Sequence, residues 1–207
     1  MNIIIADDHS VVRRGLKEIL TEEFPSAQID EAETADELIK QVLKVGYDLV
    51  LTDLTMPGRS GFESMEFIRK HYPRIPILVL SVHSEEQYAI RVLKAGASGY
   101  LNKDLAPEEL IRAVQTVLAG RKYITQSTAE KLANSFDHSN KLPHEHLSHR
   151  EFEVLKMIAT GKTISEIAEN LTLSSTTVST FRSRILRKMN LTSNAGLVQY
   201  AIEHKLI

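Results

Sequence analysis

Short apolar runs alternate with longer amphipathic stretches over the first 120 residues, and that alternation predicts the architecture. Asn2–Ala6, Asp48–Thr52, Ile75–Leu80 and Ser98–Leu101 are strand-length and dominated by apolar positions, with a weaker run at Ala27–Ala32. Runs of this kind suit parallel strands covered on both faces. Helical spacing fills the intervals, at about 11–23, 35–45, 62–71, 85–95 and 107–119. In the last of these, Leu110, Ile111, Val114, Val117 and Leu118 share one side, Pro107 suits a first turn and Gly120 a stop. Consecutive βα units predict an α/β fold, a doubly wound five-stranded parallel sheet with helices on both faces.

Beyond residue 120 the alternation stops. Residues 126–136 have helical spacing, and Asp137–His146 (DHSNKLPHEH) is polar and broken by Pro143, as a linker is. The remainder is helical throughout. Ser148 and Glu151, then Thr163 and Glu166, have the spacing of capping boxes that open two helices. Ser174 or Ser175 caps a third that runs to about Met189, and Ser193 or Asn194 opens a fourth. The expected division is a first domain over 1–121, a linker with a short helix over 122–146, and a small all-α four-helix domain over 147–207.

Composition narrows the class. With 43% apolar and 25% charged residues the chain resembles ordinary globular proteins. It has no Cys, which excludes disulfides and thiolate metal sites. No apolar run approaches the roughly 20 residues of a membrane span. The start, MNIIIADDH, lacks the basic region of a signal peptide, so the expected location is cytoplasmic. The net charge of -2 hides an asymmetry: residues 1–144 sum to -4 and residues 145–207 to +2. Arg182, Arg184, Arg187 and Lys188 fall within one seven-residue stretch.

In a doubly wound sheet, ligands bind outside the carboxyl ends of the strands. Strand one leads into Asp7 and Asp8, strand three into Asp53, strand four into Ser81, and Lys103 follows strand five. Three carboxylates, a hydroxyl and an ammonium therefore converge on one edge. Clustered carboxylates need a cation, and an all-oxygen set suits Mg²⁺. An Asp beside such a metal can act as nucleophile toward a phosphoryl group. Lys103 can neutralise the transferred charge, and Ser81 can hydrogen-bond a phosphoryl oxygen. A solvated acid at a loop is the bland reading of any one Asp, but five such positions at one edge outweigh it.

The segments IIADDH, LTDLTMPGRSG, VLS and GYLNK resemble the receiver domains of bacterial two-component response regulators, over about residues 1–120. The resemblance implies a flavodoxin-like receiver with Asp53 as phosphoacceptor. It implies Mg²⁺ contacts from Asp8, the Asp53 carboxylate and the Thr55 backbone carbonyl, with Asp7 acting through water. Ser81 corresponds to the switch hydroxyl, Tyr100 to the switch aromatic, Lys103 to the phosphate-contacting lysine, and Pro57 and Gly58 to the loop shaping the site. It implies a histidine kinase as phosphodonor and no enzyme activity beyond phosphoryl transfer to Asp53 and its slow hydrolysis. Ser81 is expected to move toward an added phosphoryl group, which favours an inward Tyr100. Plain core filling accounts equally for Tyr100 as a strand aromatic.

Helices at about 164–171 and 175–189, joined by a short turn, have the order of a helix-turn-helix. On the second, Val178, Phe181, Ile185 and Met189 share an inward face, while Ser179, Thr180, Ser183, Arg184 and Arg187 point elsewhere. A solvated polar face is the competing reading. Residues 147–207, from LSHREFEVLKMIATGKTISEIAENLTLSSTTVSTFRSRILRKMNL through NAGLVQYAI, resemble the LuxR-type output domain of NarL/FixJ regulators. That resemblance implies double-stranded promoter DNA as partner. Ser179, Thr180 and Ser183 correspond to groove-reading residues; Thr176, Arg184, Arg187 and Lys188 correspond to backbone contacts or their neighbours. The chain departs from the family at Thr176, where Lys is common, at Phe181, where His is common, and at Asn194, where Arg is common. The family's two-fold sites imply a phosphorylation-dependent homodimer, and the last helix, with Leu197, Val198, Tyr200, Ala201 and Ile202, is the candidate surface.

His138, His144, His146 and His149 are read as solvated linker residues, and His9 and His83 as neighbours of the acidic site without a catalytic role. Two functions compete with a phosphorylation-controlled regulator. One is a DNA-binding regulator whose receiver acts without phosphate. The other is an Asp-dependent phosphohydrolase, disfavoured because Thr55 stands where such enzymes carry a second acid.

Overall fold

The computed structural model describes residues 1–57, 59–82, 85–104, 107–126, 128–130 and 142–207, with 85–87 as backbone only. The chain divides into two compact units, Met1–Leu132 and Ala133–Ile207. Among the described residues, no helix is long and apolar enough to cross a membrane.

The first unit runs β1 (Asn2–Ala6), α1 (Ser10–Glu23), β2 (Gln28–Ala32), α2 (Ala35–Val42), β3 (Leu49–Asp53), α3 (Gly61–His71), β4 (Ile77–Ser81), α4 (Glu85–Lys94), β5 (Gly99–Asn102) and α5 (Pro107–Leu118). The strands form one sheet in the order β2-β1-β3-β4-β5, parallel at every pairing. The α/β expectation therefore holds. Ile3, Ile5, Leu49, Leu51, Leu78, Leu80 and Leu101 build the core on one face, closed by Leu16 and Leu20 of α1 and Leu110, Ala113, Val114 and Val117 of α5. Ile4, Val50 and Val79 are buried as well, as strands covered on both faces require.

Several boundaries shifted by one to three residues, two of them for identifiable local reasons. β3 extends one residue past its apolar run because Asp53 stays in the ladder opposite Leu80. The α2 pattern stops at Val42, where Lys44 and Val45 both donate their amides to the Gln41 carbonyl and close a turn. After α5 the chain returns along the sheet, with the Tyr123 amide donating to the Ser98 carbonyl at 2.8 Å. Of the helix expected over 126–136, residues 126 and 128–130 are helical, and 131–136 lie outside the described residues.

In the second unit the described residues include a 3-10 turn at Pro143–His146, followed by α6 (His149–Ala159), α7 (Ile164–Leu171), α8 (Ser175–Met189) and α9 (Asn194–Glu203). Both anticipated capping boxes form: Ser148 with Glu151, and Thr163 with Glu166. Ser174 and Ser193, one of each pair of candidates, cap α8 and α9. Phe152, Leu155, Ile158, Ile167, Leu171, Val178, Ile185, Met189, Leu197 and Ala201 are buried among these helices. Thr172 ends α7 in the left-handed region (φ 55°), which lets the Leu173 amide reach the Ala168 carbonyl at 2.8 Å. That reversal sets the angle between α7 and α8.

Candidate functional site

In this strand order the chain leaves β1 for β2 on one side and returns to β3 on the other. The switch point lies between β1 and β3, where a doubly wound sheet opens a crevice at its carboxyl edge. Asp7 follows β1 there and Asp53 ends β3, both buried at 1% and 3% exposure. Lys103 joins them, with Nζ 2.6 Å from Asp7 Oδ2 and 2.7 Å from Asp53 Oδ2. Its backbone is held by an amide hydrogen bond to the Ser81 carbonyl at 3.0 Å. Ser81 ends β4 and is fully buried. The five strand-end residues proposed from the sequence thus share one edge, with Asp8 partly exposed beside them.

The electrostatics follow from burial and pairing. Burial pushes the Asp53 carboxyl above its ordinary value, and the Asp7 charge adds to this; Lys103 and the Thr55 amide oppose it. The Thr55 amide donates to Asp53 Oδ1 at 3.2 Å. For Lys103, burial favours the neutral amine, but hydrogen bonds to Asp53 and Asp7 outweigh it and raise the ammonium above its usual value. The result is a buried ammonium shared by two carboxylates.

A divalent cation fits this donor set. Asp7, Asp8, His9 and Asp53 each offer a ligand atom, all within 4.8 Å of one another. Three carboxylates against one lysine leave excess negative charge, and hard oxygen donors suit Mg²⁺.

Two residues here were not assigned roles from the sequence. Arg13, on α1, is 5% exposed; its Nη1 donates to the Asp7 carbonyl at 2.7 Å, and Nη2 to Glu33 at 2.6 Å. It fastens the β1 end to α1 and to the segment after β2. Its six-residue offset from Asp7 was the only available signal. His9 sits over the acids, with Nδ1 2.8 Å from Asp8 and 3.2 Å from Asp7.

Gly61, at the start of α3, has a demanding position. A Cβ there would lie 1.7 Å from the Asp53 carbonyl oxygen and 2.8 Å from its carbonyl carbon. Backbone atoms cannot yield as a side-chain tip can. Gly61→Ala is therefore expected to displace the end of β3 that carries Asp53 and destabilise the chain by about 1–3 kcal/mol or more. Denaturant unfolding measures this, and wild-type stability would show that the close approach is not rigid. Gly58, expected to shape the same loop, lies outside the described residues, as does His83.

Tyr100, expected to turn inward on phosphorylation, is already 5% exposed. It lies in β5 opposite Val79, and α4 packs against that strand.

The second unit presents α8. Thr176, Ser179, Thr180, Ser183, Arg184 and Arg187 are all exposed. Val178, Ile185 and Met189 are buried, while Phe181 is only half-buried, at the rim of the inward face. The hydroxyls of Thr180 and Ser183 donate to the carbonyls of Thr176 and Ser179 at 3.0 Å. Their oxygens therefore face outward as acceptors. Lys188 differs from its neighbours. Its ammonium lies 2.6 Å from Glu151, whose carboxylate also takes the Ser148 amide. Burial acts to raise the Glu151 carboxyl, but Lys188 and Ser148 prevail and lower it. Lys188 is thus anchored to the α6 cap. Asn194, one of the family departures, accepts from Arg182 Nε at 2.6 Å.

The dimer-surface expectation needs correction within α9. Leu197 and Ala201 are fully buried in their own domain, and the Tyr200 hydroxyl meets His144 Nδ1 at 2.9 Å. The helix must bury one stripe against α6, so only Val198 and Ile202, with Ala195, are left to line an outer apolar depression. His144, and His149 at the start of α6 with 6% exposure, are accordingly part of the domain's packing, not solvated linker residues.

Two buried carboxylates share one lysine at the switch point of a 2-1-3-4-5 sheet, and a helix-turn-helix unit follows in the same chain. Residues 3–115 match the response regulator receiver domain family, and residues 145–201 match the luxR family of bacterial regulatory proteins. The chain is 35% identical over 208 residues to the response regulator UvrY of Escherichia coli K12, covering all of this chain and 95% of that one. It is 38% identical over 215 residues to the oxygen regulatory protein NreC of Staphylococcus carnosus, covering 100% and 99%. Among solved structures it resembles RcsB from Salmonella enterica serovar Typhimurium bound to promoter rprA with phosphomimetic BeF3-, at 28% identity and a TM-score of 0.68 over 97% of each chain. The chain belongs to the NarL/FixJ response regulators, pairing a receiver with a LuxR-type DNA-binding domain.

Proposed function

We propose that Asp53 accepts a phosphoryl group from a histidine kinase and that this controls dimerisation and promoter binding by the second unit. The observation that carries this reading is Lys103 held between Asp7 and Asp53 at the switch point. An Asp53 oxygen attacks phosphorus in line as the bond from phosphorus to the donor's imidazole nitrogen breaks, and the imidazole leaves. Lys103 stays within reach of the transferred oxygens and offsets their charge. Ser81, adjoining through its carbonyl to Lys103, donates to a phosphoryl oxygen. Asp7, Asp8, Asp53 and the Thr55 carbonyl would hold Mg²⁺, which supplies charge neutralisation and alignment. Thr55 in place of a second acid leaves the acyl phosphate without a rapid hydrolytic partner.

On α8, Ser179, Thr180 and Ser183 read base edges from the major groove, and Thr176, Arg184 and Arg187 flank them along the backbone. Lys188 supports that helix from behind through Glu151. The partner is promoter DNA, bound as a homodimer in the cytoplasm. The proposed division remains 1–121 for the receiver, 122–146 for the linker and 147–207 for the DNA-binding domain.

The test is incubation with acetyl phosphate and Mg²⁺, read by intact mass and by DNA affinity. Wild type gains one phosphoryl mass and binds DNA more tightly; Asp53→Ala does neither. The second reading is a receiver that acts without phosphate. Equal DNA affinity for wild type and Asp53→Ala under phosphodonor selects that reading. Multiple turnover of phosphoesters sinks both.

A further inference from the structure

At the edge of the first unit opposite Asp53, a cavity of about 300 Å³ is lined by Asp48, Arg69, Arg74, Ser98, Arg121 and Lys122, among others. The cations come from two places in the chain: Arg69 and Arg74 at and beyond the end of α3, Arg121 and Lys122 beyond the end of α5. Cations at helix C-termini ordinarily offset the helix dipole, roughly half a charge per helix. Two helix ends and Asp48 together supply roughly two negative charges, against four cations. About two positive charges remain uncompensated. Among the described residues, none of these four cations forms an ion pair with a carboxylate.

The hydrogen-bonding state points the same way. Arg69 Nη1 donates to the Pro73 carbonyl and Lys122 Nζ to the Ala97 carbonyl. Arg69 Nε is buried with no partner, an unsatisfied donor on a charged group. Ser98 Oγ accepts the Ile77 amide at 3.2 Å, so its own proton remains to be donated. Burial disfavours the charged form of Arg69, and burial together with the Arg69 charge does so for Lys122. Four cations are held together here against one carboxylate, Asp48, and two helix ends.

We propose that this cavity binds a compact phosphate-bearing anion, either free pyrophosphate or the diphosphate end of a nucleotide. The size is at the low end of small-molecule pockets, which admits a diphosphate and leaves a nucleoside outside. Arg69 contributes its charge and its remaining Nη2 donor, and Arg121 and Lys122 line the same cavity with theirs. The anion would tie the end of α3 to the segment leaving α5, which continues through Tyr123 into the residues beyond the receiver. The site is independent of Asp53 and of its phosphorylation.

The experiment is calorimetric titration of the full chain with pyrophosphate and, separately, ADP, in EDTA so that the Asp53 edge repels anions. Saturable binding at one site per chain is expected, weakened tenfold or more in Arg69→Gln and in Lys122→Gln. The exposed control Lys40→Gln is expected to bind as wild type. Melting temperature without ligand checks that each variant folds, and Arg121→Gln, at the exposed rim of the cavity, provides a third variant if Arg69→Gln does not. Tighter binding of pyrophosphate than ADP identifies the free anion, and the reverse identifies a nucleotide; both support the site. Binding unchanged by the substitutions, sulfate competing as well as pyrophosphate, or no saturation would overturn it.

Discussion

Lys103→Met is expected to slow phosphoryl uptake at Asp53 by about 10²–10³-fold while tightening Mg²⁺ binding. The two effects have opposite signs for one reason. Lys103 now neutralises Asp7 and Asp53 from distances of 2.6 and 2.7 Å. On the proposed function, removing it would withdraw the cation that offsets charge on the transferred phosphoryl oxygens. It also withdraws a counterweight to burial at Asp53, so the carboxyl rises further above its ordinary value and less of it is the nucleophilic anion. A divalent cation, by contrast, loses its competitor for the same carboxylates. Stopped-flow phosphorylation with acetyl phosphate and calorimetric Mg²⁺ titration separate the terms. A lysine that only held the fold would weaken both, and uptake at the wild-type rate would remove Lys103 from the transfer step.

The double substitution Arg184→Ala with Arg187→Ala is expected to lower DNA affinity by about 10²-fold and reduce the salt slope of binding by about 2. Both side chains are exposed on α8, on the helix side away from Val178, Ile185 and Met189. Each phosphate contact releases about one counterion, so the slope counts contacts independently of sequence. Lys188→Met is the comparison. Its ammonium is already within 2.6 Å of Glu151, so its loss should leave the slope nearly unchanged and lower the melting temperature instead. Fluorescence anisotropy on promoter DNA across a salt series distinguishes the two. A slope shift in Lys188→Met as large as in the double variant would place that cation on the DNA.

Local chemistry made a large part of this protein legible. The strand runs, the capping boxes at Ser148 and Thr163 and the serine cap before α8 depend on residues within a few positions of one another. The acidic edge was legible for a related reason. In a parallel sheet each strand end lies on the same side, so Asp7, Asp53, Ser81 and Lys103 could be gathered from their places after apolar runs. The family resemblance named their roles.

What stayed hidden depends on pairings between distant residues. Arg13 reads as one more charge on α1, and only the fold shows its guanidinium buried against the Asp7 carbonyl. Lys188 belongs to a basic run in the sequence, yet Glu151, 37 positions away, takes its charge. In α9 the pattern of Leu197, Val198, Tyr200, Ala201 and Ile202 is apolar nearly all round. Packing against α6 decided which positions face inward, and burial of Leu197 and Ala201 left Val198 and Ile202 outside. The basic cavity opposite Asp53 had no sequence signature, because its cations come from segments about 50 residues apart.

The sequence by itself therefore determined the βα succession, the helix-turn-helix and the acidic cluster at the strand ends, since periodicity and strand-end position are properties of short stretches. The tertiary structure decided which charges are paired, which apolar residues are covered and where an uncompensated cluster is left. Those outcomes follow from distance and desolvation between groups far apart in the chain, and neither quantity is written in local order.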